Sequence, residues 1–403
     1  MTTPLESANK PLFFRVAEPQ GFGLAAPPAR LGDALRTWAR ALPGSAFQKE
    51  ALVASSRTGQ VWRLASDEGP YLDGTDVAPC PLSFFTVGMI CSYMNEIVAL
   101  AKARDMAIRE LRLIQDNYYS MEGSLARATM TGGALPVELT VEIGCTADEA
   151  ALHELLESAV AASPVNGLMR GRHTSLFTLT RNGEPLEPRR VKPIGRPAEA
   201  EHRKAFDTAR PDAAAETAGL IARHGMSPKT EEDTSSQGSS LAEHQSRRLH
   251  VQAECTLREN GVKQIRQSLY NPRGSMFQFL SDEAPVNGGR GLAPDANSYL
   301  SAGIAFCFMT QAGRYAKILR KDLPHYSVIQ DTHFSLGGAS GATGQPGAAD
   351  PVETHLHLHT SEDGNFARDV LDMSEQTCFL HAFCRTELKA RMRVKPLAAK
   401  AQR

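Results

Sequence analysis

Two stretches of the chain, Val77 to Asn95 and Ala296 to Gly313, run without a charged residue, and each passes into a charged amphipathic half. Both contain Ser, Gly and Cys, and one contains two prolines. A membrane-spanning helix needs about 20 strongly apolar residues, so the pattern predicts two long soluble helices buried on most sides. Around them, apolar and polar residues alternate with the period of a strand. In the first half ALVASS from Ala51 and QVWRLAS from Gln60 are early strands, with HTSLFTLT from His173 as the last. In the second half the corresponding strands are HVQAECTL from His250, VKQIRQSLY from Val262 and, last, LKARMRV from Leu388.

The pattern occurs twice. CSYMNEIVALAKAR from Cys91 aligns with CFMTQAGRYAKILR from Cys307 at an offset of 216 residues, each starting with Cys at the end of an apolar run. VELTVEIGCTADE from Val137 aligns with VETHLHLHTSED from Val352 at an offset of 215. Both strands run into a helix start, with Thr146 or Ser361 as N-cap. The helices that follow place Leu156 against Leu371 and end at SPVNGL from Ser163 and CFLHAF from Cys378, again 215 apart. One offset shared by several elements indicates internal duplication. Each unit reads as strands, a long buried helix, two or three strands, a second helix and a last strand.

The expected division is an N-terminal extension over 1–45, a first unit over 46–183, a polar linker over 184–247 and a second unit over 248–403. Within the linker, TEEDTSSQGSS lacks apolar residues and is expected to be disordered. AAAETAGLIARHG is expected to form one helix there, and GGASGATGQPGAAD, from Gly337 to Asp350, a flexible loop inside a hairpin of the second unit.

Composition sets outer limits. At 403 residues and 42% apolar content the chain can bury two ordinary cores. Its 44 basic and 45 acidic residues leave a formal net charge of -1, which gives no ground for nucleic acid as the main partner. Seven cysteines without a short repeating spacing or a CxxC pair match neither a secreted disulfide framework nor a zinc knuckle. The segment MTTPLESANKPLFF has no basic stretch followed by an apolar run, so no signal peptide is read. The expectation is a reducing cytoplasm and no membrane association.

The candidate chemistry lies in two cysteines, Cys307 in AGIAFCFM and Cys378 in Cys378-Phe379-Leu380-His381, set against Cys91 in VGMICSYM and Ser163-Pro164-Val165-Asn166 in the first unit. Strands, a long central helix carrying a Cys, more strands, and a helix with a second Cys in a CPVH-like stretch resemble the OsmC/Ohr family, thiol-dependent peroxidases that reduce organic hydroperoxides. The resemblance covers roughly Phe47 to Arg181 and Arg248 to Val394. It implies an α+β fold of two tandem OsmC-like domains, each an antiparallel sheet wrapped on a long central helix. The two would form an intramolecular pseudo-dimer with the thiol site near the seam, and further association of chains stays open. It implies Cys307 as the attacking thiol and Cys378 as the resolving thiol, with a hydroperoxide or related electrophile as substrate and a dithiol as reductant. In the first unit Cys91 and Ser163 cannot form a disulfide, which leaves that unit a structural or substrate-binding role.

Peroxide reduction by a dithiol needs a thiolate, a neighbour that favours it, and a resolving thiol within reach. His381, three residues beyond Cys378, projects from nearly the same helix face. The family's activating arginine is expected from an early strand or turn, where Arg258 in TLRENG is the best candidate. The carboxylate that holds that arginine in active members falls on Asn297 here, with Asp295 nearby but out of register, and on Pro81 in the first unit. Cys384 reads as packing. A second constellation is His355, His357 and His359 in THLHLH, alternate strand positions sharing one face, with Leu356 and Leu358 facing the core. Asp331 and His333 are candidate further ligands. Such a face suits zinc or another divalent ion, although neighbours roughly 6.5 to 7 Å apart let one ion take two histidines more readily than three. The alternative function is therefore non-redox small-molecule binding or hydrolysis, with a metal on the histidine strand.

Overall fold

A computed structural model of the chain describes residues 2–397 apart from 9, 46, 146 and 230–238. The first half gives α1 (Pro4–Ser7), β1 (Phe14–Arg15), β2 (Gly32–Ala41), β3 (Lys49–Ser55), β4 (Val61–Ser66), α2 (Pro81–Ala103), β5 (Ile108–Ser124), β6 (Thr131–Ala134), β7 (Val137–Cys145), α3 (Glu149–Ala162), α4 (Pro164–Arg170) and β8 (Leu176–Arg181). A connecting stretch adds β9 (Glu184–Leu186), β10 (Lys192–Pro193), α5 (Arg203–Thr208) and β11 (Ile221–Met226). The second half follows with β12 (His244–Leu257), β13 (Lys263–Asn271), β14 (Ser275–Ser281), α6 (Ala296–Leu319), β15 (His325–Ser335), β16 (Glu353–His359), α7 (Gly364–Thr377), α8 (Phe379–Arg385) and β17 (Ala390–Pro396). The class is α+β, with two large sheets and eight helices among the described residues.

Each sheet takes strands from both halves. One runs β1-β4-β3-β2-β15-β16-β8-β10 with β9 on β8; the other runs β11-β14-β13-β12-β5-β7-β17 with β6 on β5. In the first, β2 pairs antiparallel with β15 from Arg40 opposite Ser327 to Gly32 opposite Ser335. In the second, β12 pairs antiparallel with β5 from His244 opposite Ser124 to Thr256 opposite Arg112. The last strands add in parallel, β8 on β16 and β17 on β7. Neither half can complete a sheet from its own strands, because each early three-strand unit ends against the later hairpin of the other half.

Residues 1–45, expected as an extension, thus supply β2, a central strand. It escapes the alternating pattern because both its faces are buried: Leu35 packs in the main core, while Trp38 belongs to a second cluster with Phe14, Leu24 and Phe206. AAAETAGLIARHG is not a helix. Gly219 and Gly225 take φ of +78° and +100°, outside helical range, and Ile221–Met226 instead pairs with the open edge of β14. The helix of this stretch is α5. TEEDTSSQGSS lies almost wholly outside the described residues. The helix caps are Asp148 and Asp363, 215 residues apart, accepting from Ala151 N and Phe366 N. Thr146 is outside the described residues, and Ser361 hydrogen-bonds Asp322 instead of capping.

The two long helices cross in the core. Of the described helices, α2 alone has the length and composition to cross a bilayer, and it lies mostly buried. Its Gly88 faces α6, where a Cβ would sit 2.7 Å from the Ala296 carbonyl oxygen; Gly303 of α6 faces α2, where a Cβ would sit 2.8 Å from the Phe85 nitrogen. These glycines are 215 positions apart, one from each repeat. Around them Phe84 packs with Phe279, Tyr299 and Phe306, and Phe85 packs edge-on against Phe383. Gly303→Ala should push the helices apart and destabilise the protein by about 1–3 kcal/mol, read as a lower denaturant midpoint at unchanged slope.

Asp295 caps α6 by accepting from Ser298 N at 2.7 Å. Burial, with the Glu283 and Asp33 carboxylates adding to it, raises its carboxyl to about 7. A folded-state pKa above the unfolded one means stability is highest at low pH and falls as pH rises from about 4 toward 7. Asp295→Asn keeps a capping oxygen and should flatten that fall, as measured by unfolding midpoints across this range.

Candidate thiol site

The fold brings Cys307 and Cys378 together. Cys307 lies in the middle of α6. Cys378 ends α7 and begins α8 in extended backbone (φ −72°, ψ 119°), so the chain turns there and points the new helix at α6. The two thiols are neighbours that act on each other's ionisation, and both are free. His381 Nδ1 lies 3.2 Å from Cys378 Sγ. Its ring is held between Phe177 and Phe308, with centroids at 5.5 and 5.3 Å, and its buried Nε2 has no partner. The Leu380 amide points at Cys307 and the His381 amide at Cys378.

Burial, then the neighbouring Cys378, push the Cys307 thiol well above its ordinary range. Burial also opposes ionisation of Cys378, but the contacts with Cys307 and His381 outweigh it and hold this thiol well below.

The nearby cation and carboxylate come from the other half of the chain. Lys49, at the start of β3, is wholly buried. Its Nζ donates to Phe47 O at 2.7 Å and Thr310 Oγ1 at 2.9 Å, and lies 4.0 Å from Glu68 Oε1. Thr310, three residues beyond Cys307, donates to Glu68 Oε1 at 2.7 Å, and Tyr71 OH donates to Glu68 Oε2 at 2.8 Å. Burial lowers the Lys49 pKa, and Glu68 and Cys307 are among the groups whose charge pulls it back up.

Arg258 does not share this position. It is exposed in the turn between β12 and β13, where its Nε donates to Gln264 at 2.9 Å. The reason is the strand exchange: β12 and β13 face α2, while β2, β3 and β4 face α6. Asn297 donates to Asp33 Oδ2 at 2.8 Å. A sequence signal for the observed carboxylate exists in the repeat of Ser66-Asp67-Glu68-Gly69-Pro70 as Ser281-Asp282-Glu283-Ala284-Pro285, at the same offset of 215.

That offset also corrects the internal alignment. The counterpart of Cys307 is Ser92, not Cys91, and Ser92 Oγ lies 2.7 Å from Ser163 Oγ. The two serines are separated by 71 residues, as are the two cysteines. Beside the serines, Lys263 Nζ donates to Asn95 Oδ1 at 2.7 Å and lies 3.4 Å from Glu283. The ionic framework is thus present twice and the thiol pair once. Cys91 is left facing Cys255. The 337–350 loop is packed over the serine side. Ala339 N and Ser340 N donate to Glu96 Oε2 at 2.8 and 3.2 Å, and a Cβ on Gly347 would lie 1.8 Å from Ser163 O.

On the thiol side a narrow cavity reaches Cys307, lined also by Glu68, Cys80, Arg247, Arg314 and Phe379. Cys378 is not part of its wall.

The histidine strand lies elsewhere. Leu356 and Leu358 face the core as expected, but the opposite face is covered too, by residues 196–206, so that His355 and His357 are buried. Arg196 donates to His355 Nε2 at 3.2 Å, which puts the ring proton on Nδ1, donating to Thr178 Oγ1 at 2.7 Å. His357 Nδ1 pairs with Thr180 at 2.8 Å and His359 Nε2 with Glu201 at 2.8 Å. Burial, with Arg196 beside it, lowers His355 to about 4. Asp331 is ion-paired with Arg36 at 2.7 Å. Among the described residues no three His, Cys, Asp or Glu side chains converge as a metal site.

The chain matches no protein-family profile and no curated protein. Among solved structures it is similar to an OsmC-like hydroperoxide resistance protein from Jannaschia sp. CCS1, at 18% identity and a TM-score of 0.20, over 32% of this chain and 79% of that one.

Proposed function

We propose that the chain is a pair of tandem OsmC-like domains folded as an intramolecular pseudo-dimer, and that Cys307 and Cys378 form a thiol peroxidase centre. The observation that carries this reading is the neighbouring thiol pair, with Lys49 and Glu68 beside it and a cavity reaching Cys307. Transfer of the Cys307 proton toward Cys378 leaves a thiolate facing the cavity, and Lys49 stabilises that charge. The Cys307 thiolate attacks the terminal oxygen of a hydroperoxide and the O–O bond breaks. Cysteine sulfenic acid forms, and the leaving alkoxide takes a proton to become the alcohol. Cys378 then attacks the sulfenic sulfur, forming a disulfide and releasing water. An external dithiol restores the reduced pair, which suits a reducing compartment. His381 positions Cys378, and the serine-bearing half serves as scaffold.

Treatment of the purified protein with one equivalent of cumene hydroperoxide should yield a Cys307–Cys378 disulfide by peptide mass mapping. Cys307→Ser should abolish turnover, and Cys378→Ser should leave a sulfenic acid that a 1,3-dione traps on Cys307. Unreacted thiols would sink the peroxidase reading and favour non-redox binding or hydrolysis. Metal analysis of that sample before and after His357→Ala would then test an ion on His355, His357 and His359.

Lys49→Met removes the buried cation. The rate of disulfide formation should fall by about two orders of magnitude, with its pH dependence moved to higher pH. An unchanged pH profile in a folded variant would assign Lys49 a packing role alone.

A further inference from the structure

The cavity that reaches Cys307 is small. Its volume is about 30 Å³, and a site for one water takes roughly 10–15 Å³. It therefore has room for about two groups the size of a water oxygen. Its wall is made of side chains that the fold holds in place. Leu249 and Leu269 stand on the interior strands β12 and β13, and Leu82 in the first turn of α2, all packed in the main core. Phe379 packs against the Tyr119 ring, with centroids at 5.7 Å. A close-packed wall of this kind resists added volume.

The internal repeat shows what narrows the cavity. Glu68, Leu72, Thr310 and Arg314 line it. The residues 215 positions away from these four are Glu283, Asn287, Asn95 and Ala99, and all four line the hollow on the serine side, whose volume is about 650 Å³. The same place in the fold is thus wide beside the serines and narrow beside the thiols. Among the four positions the largest change in size is from Ala99 to Arg314. The Arg314 side chain is 2% exposed and is tied into the wall, its Nε donating to Ser240 O at 2.7 Å and its Nη1 to Gln311 Oε1 at 3.4 Å.

We infer that this cavity is a size filter whose substrate is hydrogen peroxide, and that Arg314 sets its bore. Hydrogen peroxide is two linked oxygens, which is what the cavity admits, whereas an organic hydroperoxide brings carbon atoms for which the wall must part. The inference rests on the peroxidase reading and names the substrate of that site. The Cys307 thiolate attacks one peroxide oxygen, the S–O bond forms as the O–O bond breaks, and the leaving hydroxide takes a proton to become water. Attack by Cys378 on the sulfenic sulfur then gives the disulfide and a second water. Larger hydroperoxides, cumene hydroperoxide among them, reach the same disulfide more slowly.

The filter is read from rates of Cys307–Cys378 disulfide formation in the full chain, each divided by the rate of the same peroxide with free cysteine. On that scale hydrogen peroxide should exceed cumene hydroperoxide by about tenfold or more. Arg314→Ala should cut that ratio by about tenfold, through faster reaction with cumene hydroperoxide. Leu72→Ala, elsewhere in the wall, should move the ratio in the same direction and serves where Arg314→Ala does not fold. A ratio of one or less in the parent chain, or a ratio unchanged in the folded variants, overturns the filter. Reagents that need no peroxide chemistry separate this failure from failure of the peroxidase reading. In Cys378→Ser, methyl and benzyl methanethiosulfonate form the same kind of mixed disulfide on Cys307, located by peptide mass mapping, and differ in size. The methyl reagent should react about tenfold faster on the same normalised scale, and Arg314→Ala should close the gap. Equal rates overturn the filter whatever the peroxides do. A size limit that holds for these reagents in a chain inert to both peroxides would sink hydrogen peroxide as the substrate, together with the peroxidase reading.

Discussion

Backbone hydrogen bonds between β12 and β5, and between β2 and β15, are the constraint on which the rest of the molecule depends. Each joins an early strand of one half to a later strand of the other, so neither sheet closes without both halves. The exchange fixes what each central helix faces. Helix α6, which carries Cys307, lies under β2, β3 and β4 of the first half, and α2 lies under β12 and β13 of the second. The thiol site is consequently composite, with sulfurs from one half and the Lys49–Glu68 pair from the other. The Gly88–Gly303 crossing sets how closely α2 and α6 approach, because any side chain there would push the two helices apart.

The duplicated framework helps to separate structure from chemistry. Lys263, Glu283 and Asn95 reproduce the Lys49, Glu68 and Thr310 arrangement beside two serines that cannot do redox chemistry. The cation–carboxylate pair thus has a role independent of thiols, tying the start of a strand to the middle of a buried helix. What is confined to the thiol side is the cysteine pair, the cavity with its two arginines, and the His381 ring. On the serine side the 337–350 loop packs in, its amides donating to Glu96, and a separate hollow is lined by Asn95, Lys263 and Glu283. The position of Glu96 is Gln311 on the thiol side, a neutral group that accepts from Arg314.

The recurrence of similar segments about 215 residues apart was legible from the sequence because helix and strand periods repeat at that spacing. Cys307, in the middle of α6, and Cys378, between α7 and α8, were singled out through the family resemblance, and they are neighbours in the fold. The one-residue slip that matched Cys91 with Cys307 arose from residue identity: cysteine at 91 attracts the alignment, whereas the glycines, caps and hydroxyls place Ser92 there. Strands buried on both faces, such as GDALRTWARA in β2, do not alternate and were missed. Lys49 was beyond reach for a different reason. Its nearness to Cys307 follows from the exchange of strands across more than half the chain, and no local pattern records which sheet a strand will join. The same exchange removed Arg258 from the site, although it lies in the right kind of turn.

Buried side-chain polar atoms without a partner are spread through the described fold, among them Trp38 Nε1, Ser298 Oγ and Tyr326 OH. The thiol pair is buried yet biased toward ionisation at Cys378, the His381 Nε2 is without a partner, and Arg247 and Arg314 each keep a buried N–H unsatisfied. Elsewhere on the same helices, polar groups such as Thr86 and Tyr299 find backbone acceptors. Cys307 lines the narrow cavity and Cys378 does not. On the proposed peroxidase reading, access belongs to Cys307, and a proton passed to Cys378 leaves the charge at the cavity wall.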